Sequence, residues 1–305
     1  MALTNGRLPT VDRVLSSARP PLLFHYTSPT GLIGIAQSKV LWATHVKFLN
    51  DAKELGHAVD LARSAIDYRL GAPTFAGHYA GPEQVFLQYL DRYAGTASSD
   101  IYVASLSRRG DQLSQWRAYC PPGGGYSIGF SSVQLDAVAA SQNFFLSPCV
   151  YDHDIQSAVV NEIIDCQLSA FRQRLANSGG AMPSEEIERL AVEASREFSR
   201  YGPMLKHHSF DEEQEWRLIG SSRGVSHPSI RYRAGKNSVI PYLEFQLCTN
   251  EHPDVLRKGH DDMLTVMIGP TRDREAAFFA VQSLGDNAFP PGWSFGSTGT
   301  PYRAS

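Results

Sequence analysis

The sequence predicts an α+β fold, one mixed domain carrying helical insertions. Three observations lead there: strand-like runs with period-two alternation crowd the chain after residue 100, two long helical blocks interrupt these runs instead of alternating with them, and no internal repeat or low-complexity tract divides the chain. At 305 residues, with 42% hydrophobic and 19% charged side chains, the chain is long enough to bury a proper core. Its formal net charge of -3 argues against a surface that is one electrostatic footprint for nucleic acid, and leaves room for a local basic face.

Residues 1–19 read as an N-terminal extension. They lack the continuous apolar stretch of a signal peptide, and no segment approaches the roughly 18 apolar residues of a membrane helix, which predicts a cytoplasmic protein without membrane contact. A single domain is expected over 20–305. It starts with a strand in "PLLFHYT" and a helix in "SPTGLIGIAQSK", where Ser28 suits the N-cap and Pro29 the first helical position. A second strand around "KVLWATHV" precedes the first helical insertion, at about 51–94. There "LNDAKELGHAVDLARSAIDYRL" places Leu55, Val59, Ala62 and Ile66 on one stripe behind a capping-box pattern of Asp51 and Glu54. The Gly, Ala and Pro-rich residues 71–81 read as a loop before a helix in "PEQVFLQYLDRYA".

Strands follow in "IYVASLS", "GYSIGF" and "FFLSPCVY", the last after a short helix near "SSVQLDAVAA". Between the first two, "LSQWRAYCPPGGGYSIGF" reads as a hairpin, because three successive glycines after two prolines make a turn. The second insertion, at about 153–201, reads as an antiparallel helix pair around "NSGGAMP". Strands return in "QEWRLIG", "SIRYRAG", "SVIPYLEFQL" and "LTVMIG", with Pro241 implying an edge position or a bulge, and a helix in "DREAAFFAVQSLG" comes before the tail.

The chemistry-bearing residues lie in a few of these stretches. In "EEQEWRLIG" the strand period sends Glu213, Glu215 and Arg217 to one face. Two carboxylates so placed repel unless a cation sits between them. Either Arg217 is that cation in a salt-bridged strand face, or the pair stabilises positive charge developing on a substrate. "YVASLS" puts Ser105 and Ser107 on one face, leaving room for a ligand or simply meeting solvent. In "FHYTS", His25 and Thr27 share a face opposite Tyr26, which groups with Phe24 as core. Trp116, Arg117, Tyr119 and Tyr126 flank the glycine turn, framing a pocket or packing as core. The run 217–236 holds Arg217, Arg223, Arg231, Arg233 and Lys236 without an acidic residue, which suits a pyrophosphate or nucleic acid, or a solvated strand face.

Taken in order, "FHYTS", "YVASLS", "LSQWRAYCPPGGGYSIGF", "FDEEQEWRLI" and the terminal "STGTPYR" resemble a bacterial family described as a domain of unknown function, from about residue 20 onward. That pattern is similar to the ADP-ribosyltransferase fold, a split mixed or antiparallel sheet. The resemblance implies that NAD is bound as substrate. His25 and Thr27 resemble the first-strand motif that holds a ribose hydroxyl, with Tyr26 where a glycine is common. Ser105 and Ser107 resemble the middle-strand pair, Trp116, Tyr119 or Tyr126 would stack on nicotinamide, and Arg117 would face a phosphate. Glu215 resembles the final catalytic glutamate and Glu213 the upstream member of its motif.

The expected function is therefore NAD-dependent ADP-ribosyl transfer to an unknown macromolecule, protein or nucleic acid, or NAD hydrolysis, in a toxin or anti-phage effector. A non-catalytic nucleotide-binding or interaction module on the same fold is the alternative. A metal-dependent hydrolase is a further one, since "KHHSFDEE" gathers His207, His208, Asp211, Glu212 and Glu213, but its spacing matches neither H-E-x-x-H nor any cysteine-containing zinc site and no metal ligand is assigned. Cys120, Cys149, Cys166 and Cys248 lie far apart and read as reduced thiols. Dinucleotide-binding G-x-G-x-x-G, phosphate-binding P-loop and G-x-S-x-G signatures do not occur.

Overall fold

Among the described residues, ten strands form one sheet in the computed structural model: β1 (Leu22–Thr27), β2 (Val40–His45), β3 (Ile101–Ser107), β4 (Tyr126–Ser131), β5 (Phe144–Pro148), β6 (Glu215–Ser221), β7 (Arg231–Ala234), β8 (Val239–Gln246), β9 (Thr265–Ile268) and β10 (Ser294–Ser297). The structure describes residues 8–49, 52–71, 81–95, 100–121, 124–221, 227–235, 237–248, 264–289 and 292–299. The sheet order is β10-β9-β4-β1-β3-β2-β8-β7, with β6 on β3 and β5 on β6. Only the β9 and β10 pair is parallel, so the sheet is mixed and mostly antiparallel.

Nine helices cover the two faces of the sheet in the described residues: α1 (Pro9–Leu15), α2 (Pro29–Ser38), α3 (Ala52–Gly71), α4 (Pro82–Tyr93), α5 (Leu113–Tyr119), α6 (Ser132–Ser141), α7 (His153–Asn177), α8 (Ser184–Tyr201) and α9 (Arg274–Ala288). The fold is thus α+β. Strand alternation divides its core in two. Ile101, Val103 and Ile219 pack with α1, α3, α4, α7 and α8. Tyr102, Ala104, Leu106 and Leu218 pack with α2, α6 and α9 on the opposite side.

The two helical insertions make one layer. Phe86 of α4 stacks on Phe171 of α7 at 4.4 Å, and Arg69 of α3 reaches Asp165 of α7 at 2.8 Å. Both phenylalanines are fully buried, worth about 1.5–3 kcal/mol each. In α3, Ala62 and Ile66 enter this core with Val59 packed against it, as the apolar stripe predicts. The side chains of Leu55, Asp51 and Glu54, and most of the loop expected at 71–81, lie outside the described residues. Helix α1, within the segment read as an extension, packs into the same layer: the Glu162 carboxylate accepts from Thr10 N at 2.9 Å and Val11 N at 3.2 Å. Between α7 and α8 the chain reverses through Gly179 and Gly180, at φ of 77° and 83°, where a side chain would clash with its own carbonyl.

Three expectations change. The "LSQWRAY" arm of the anticipated hairpin is the helix α5, bounded by backbone bonds from Trp116 N to Gln112 O at its start and from Cys120 N to Trp116 O at its end. The glycine turn therefore joins a helix to β4. The tail contributes the edge strand β10. Gln214 adopts the left-handed region at φ 45°, which breaks strand alternation between Glu213 and Glu215; β6 starts only at Glu215. Pro241 faces Tyr232 of β7 beyond the last β8 pair with β2, at Tyr242, so it occupies an edge position.

β1 and β2 both pair with the same edge of β3. β1 meets it only at Phe24 opposite Ser107, and β2 only through Thr44 opposite Val103 and His45 opposite Tyr102. Between those points the edge of β3 over Ala104–Leu106 has no strand beside it, and the two neighbours splay apart. The split opens a cleft.

Candidate active site

The cleft has a volume of about 790 Å³, in the range of sites that enclose a cofactor-sized ligand. Its walls come from β1, the length of α2, β2, the open edge of β3, α5, the start of β6, and Arg233 and Glu244 of β7 and β8. His25, Thr27, Ser105, Tyr119, Glu213 and Glu215 all line it.

His25 sits where β1 leaves β3. Its Nδ1 lies 3.0 Å from the carbonyl oxygen of Ser105, so the imidazole makes a bond that the strand ladder no longer can. A carbonyl only accepts, hence Nδ1 carries the proton and Nε2 is an acceptor while the ring is neutral. Burial lowers its pKa below 6.5 and outweighs the Ser105 carbonyl, which keeps the ring neutral at physiological pH. Thr27 ends β1 next to the N-cap Ser28, whose hydroxyl accepts from Gly31 N at 3.1 Å and opens α2 on to the cleft.

The acidic pole is built on a buried lysine. Lys206 is 1% exposed, and its Nζ donates to Glu213 Oε2 and to Glu215 Oε2, each at 2.7 Å. Arg217 donates to both Glu215 oxygens at 2.8 Å and to Pro203 O at 2.7 Å. Lys206 thus bridges the two carboxylates, and Arg217 holds Glu215 from a second side. Burial alone would push the Glu215 carboxyl up, but Arg217 and then Lys206 outweigh it and hold the group at about 2. Glu215 is therefore a fixed anion. Its backbone N–H is capped by the Tyr151 hydroxyl at 2.9 Å.

The second insertion explains how Lys206 gets there. Gln156 of α7 donates to Lys206 O at 2.7 Å and to Val150 O at 2.6 Å, while Lys206 N donates to Val150 O at 3.0 Å. This clamps the backbone beside β6. Glu213 is placed from the other side, because Ser107 Oγ donates to its carbonyl at 2.9 Å. The carboxylates therefore converge through a short 3-10 turn, His208–Glu213, and not through the shared strand face that alternation predicts. Tyr119 completes this pole: burial, then the charges of Glu213 and Glu215, raise its phenol well above 10, so it stays a neutral donor.

Four residues expected at the site lie elsewhere. Ser107 is buried under Glu213 and Arg109, holding the chain and not the cleft. Trp116, 2% exposed, donates from Nε1 to Asp111 at 2.8 Å and meets Tyr26 edge-on at 4.7 Å, as a core aromatic. Tyr26 itself is core, its hydroxyl bonded to Arg109 O at 2.7 Å. Arg117 is exposed on the outer side of α5, since the helical turn separates it from Tyr119 and Gln115. Tyr126 pairs with Ile268 in the sheet and packs against the core beside α2 and α9.

Of the basic run, Arg217 is in the ion cluster and Arg233 lines the cleft; Arg223 and Lys236 lie outside the described residues. Lys206, Tyr151 and Trp42 were not anticipated. A lysine nine positions before Glu215 carries no periodic signal, and only its clamp to Val150 makes it a counter-ion. The rings of His207 and His208 lie 4.3 Å apart, tilted by 32°, on the exposed side, and among the described residues no group of three His, Cys, Asp or Glu side chains converges as a metal ion requires. None of the four cysteines forms a disulfide. No helix among the described residues is long and apolar enough to cross a membrane.

Residues 115–218 match a family described as protein of unknown function, DUF2971. The matched stretch runs from α5 into β6 and includes Tyr119, Lys206, Glu213 and Glu215, whereas His25 and Ser105 precede it. It is a narrower span than the one expected from residue 20 onward. No curated protein and no solved structure matches the chain.

Proposed function

We propose that the cleft binds NAD and breaks its nicotinamide–ribose bond, passing ADP-ribose to a macromolecule or to water, on an ADP-ribosyltransferase-like fold. The observation that carries this reading is the convergence of His25, Ser105, Tyr119, Glu213 and Glu215 on one cleft at the split of the sheet. Neutral His25 accepts a ribose hydroxyl at Nε2. The first turn of α2, with Ser28, Thr30 and Gly31 on the cleft, presents the positive end of a helix to the pyrophosphate in place of Arg117.

The bond breaks with its electron pair leaving on nicotinamide, and the ribose carbon becomes oxocarbenium-like. Glu215, fixed as an anion, stabilises that cation more than it stabilises the neutral sugar, so its effect falls on the transition state. Its Oε1 accepts from Arg217 Nε at 2.8 Å, and a carboxylate oxygen can accept a second bond, here from a ribose hydroxyl. Glu213, at the more open edge of the ion cluster with 16% of its side chain exposed, takes the proton of the incoming hydroxyl as the new bond forms.

One observation favours a second reading. Both Glu215 oxygens are already held by Arg217 and Lys206, which weakens its field at a substrate. A non-catalytic nucleotide-binding module on the same fold would keep such a cluster for structure alone. Incubating the purified protein with NAD and following nicotinamide release separates the two. Release that falls at least 100-fold in Glu213→Gln, with NAD affinity kept, supports catalysis; NAD binding with no release supports the binding module; neither binding nor release removes both.

A further inference from the structure

Trp42 is 49% exposed, whereas Trp116 and Trp216 are buried. It lines the cleft, and Tyr242 backs it at 4.7 Å with ring planes 34° apart. The Arg233 guanidinium lies 5.8 Å from its ring centroid, tied by Nη2 to Thr44 Oγ1 at 3.1 Å. Arg233 Nε is buried and has no hydrogen-bond partner among the described residues, while the side chain as a whole lines the cleft. An open indole beside a fixed guanidinium is the chemistry that takes a planar base and its phosphate.

Strand register places this platform relative to the acidic pole. Thr44 faces Val103, and Val103 faces Ile219, so by alternation Trp42, Ser105 and Arg217, each two residues along, share one face of the sheet. β3 lies between β2 and β6, so the platform and the ion cluster are two strand spacings apart, about 10 Å, and the splay of β2 adds to that. That spacing suits a base on Trp42 that belongs to a second nucleotide better than one bonded directly to the sugar at Glu215.

Resting on the nucleotide reading of the cleft, we infer that Trp42, Tyr242 and Arg233 form a stacking subsite for a purine base carrying a phosphate, which selects a dinucleotide over a mononucleotide. The test is tryptophan fluorescence and calorimetric titration of the full chain with AMP, nicotinamide mononucleotide and a single-stranded oligoadenylate, in wild type, Trp42→Ala and Trp42→Phe. AMP should bind wild type and quench it, Trp42→Ala should weaken AMP about tenfold, and Trp42→Phe should retain most of the affinity. Nicotinamide mononucleotide should bind all three proteins alike, because it occupies the other pole. If AMP binds and depends on Trp42 while nicotinamide mononucleotide does not bind, the subsite stands and the NAD-cleavage reading falls. AMP that fails to bind wild type, or binds Trp42→Ala equally well, overturns the subsite. Binding of oligoadenylate without AMP overturns it in favour of a nucleic-acid strand on this face.

Discussion

Replacing Lys206 by methionine removes the one ammonium shared by Glu213 and Glu215 while keeping most of its bulk. In the wild type, Glu215 is held at about 2 against an ordinary value of 4.5, which corresponds to about 3 kcal/mol of stability at neutral pH. Because the folded value is the lower one, that stability is present above pH 4.5 and is lost as the pH falls toward 2. Without Lys206 the two carboxylates lose the cation they share, and uncompensated buried charge costs about 3–5 kcal/mol. The surviving guanidinium puts Lys206→Met near the lower figure.

The pair then relieves its repulsion by binding a proton in the folded state, which raises an apparent folded pKa above 4.5. The sign of this contribution must reverse: between 4.5 and the raised value the altered cluster should lower stability as pH rises, where the wild-type cluster contributes no slope. Urea unfolding midpoints measured from pH 3 to 8 would show both effects. A loss under about 1 kcal/mol with the wild-type profile intact would refute the claim that Lys206 is the counter-ion of a buried pair.

Three further outcomes follow from the same geometry. His25→Asn removes the ring bond that bridges the gap to Ser105, and should cost about 1–2 kcal/mol. Since burial depresses the His25 pKa below 6.5, wild-type stability should decline as pH falls from 6.5 through that lowered value, and this decline should vanish in His25→Asn when the two profiles are overlaid. Trp116→Phe should lower stability by about 1–2 kcal/mol in denaturant unfolding yet leave nicotinamide release per folded molecule unchanged, whereas Tyr119→Ala should lower release; equal effects on release would return Trp116 to the site. A methyl group at Gly31 would collide with the Thr27 hydroxyl, so Gly31→Ala should cost about 1–3 kcal/mol and weaken NAD binding through a displaced α2, while Gly34→Ala, which meets nothing, should not destabilise.

Most elements are legible locally. Ser28 and Pro29 announce α2, period-two runs mark the strands, and the α8 stripe of Ile187, Leu190, Ala191, Ala194 and Phe198 marks an amphipathic helix. α5 is the exception, because seven residues with two aromatics fit a strand pattern as readily as a helix, and its tether from Gln112 to Glu212 comes from 100 residues away. Of the site, His25, Ser105, Glu213 and Glu215 could be named from strand motifs, but their convergence depends on β1 and β2 splaying from β3, a property of three strands together. The aromatics beside the glycine turn could not be sorted, since an edge-on contact with Tyr26 decides that Trp116 is core. Lys206 and Trp42 were invisible for a similar reason: one is a counter-ion only through Val150 and Gln156, and the other faces a cleft that exists only because of the split.

The decisive measurement is a crystal structure of Glu213→Gln soaked with NAD. The account predicts the nicotinamide-side ribose within hydrogen-bond reach of His25 Nε2 and Glu215 Oε1, and the adenine over Trp42. NAD bound on another surface, or no NAD in the cleft at millimolar concentration with an ordered ion cluster, would contradict it.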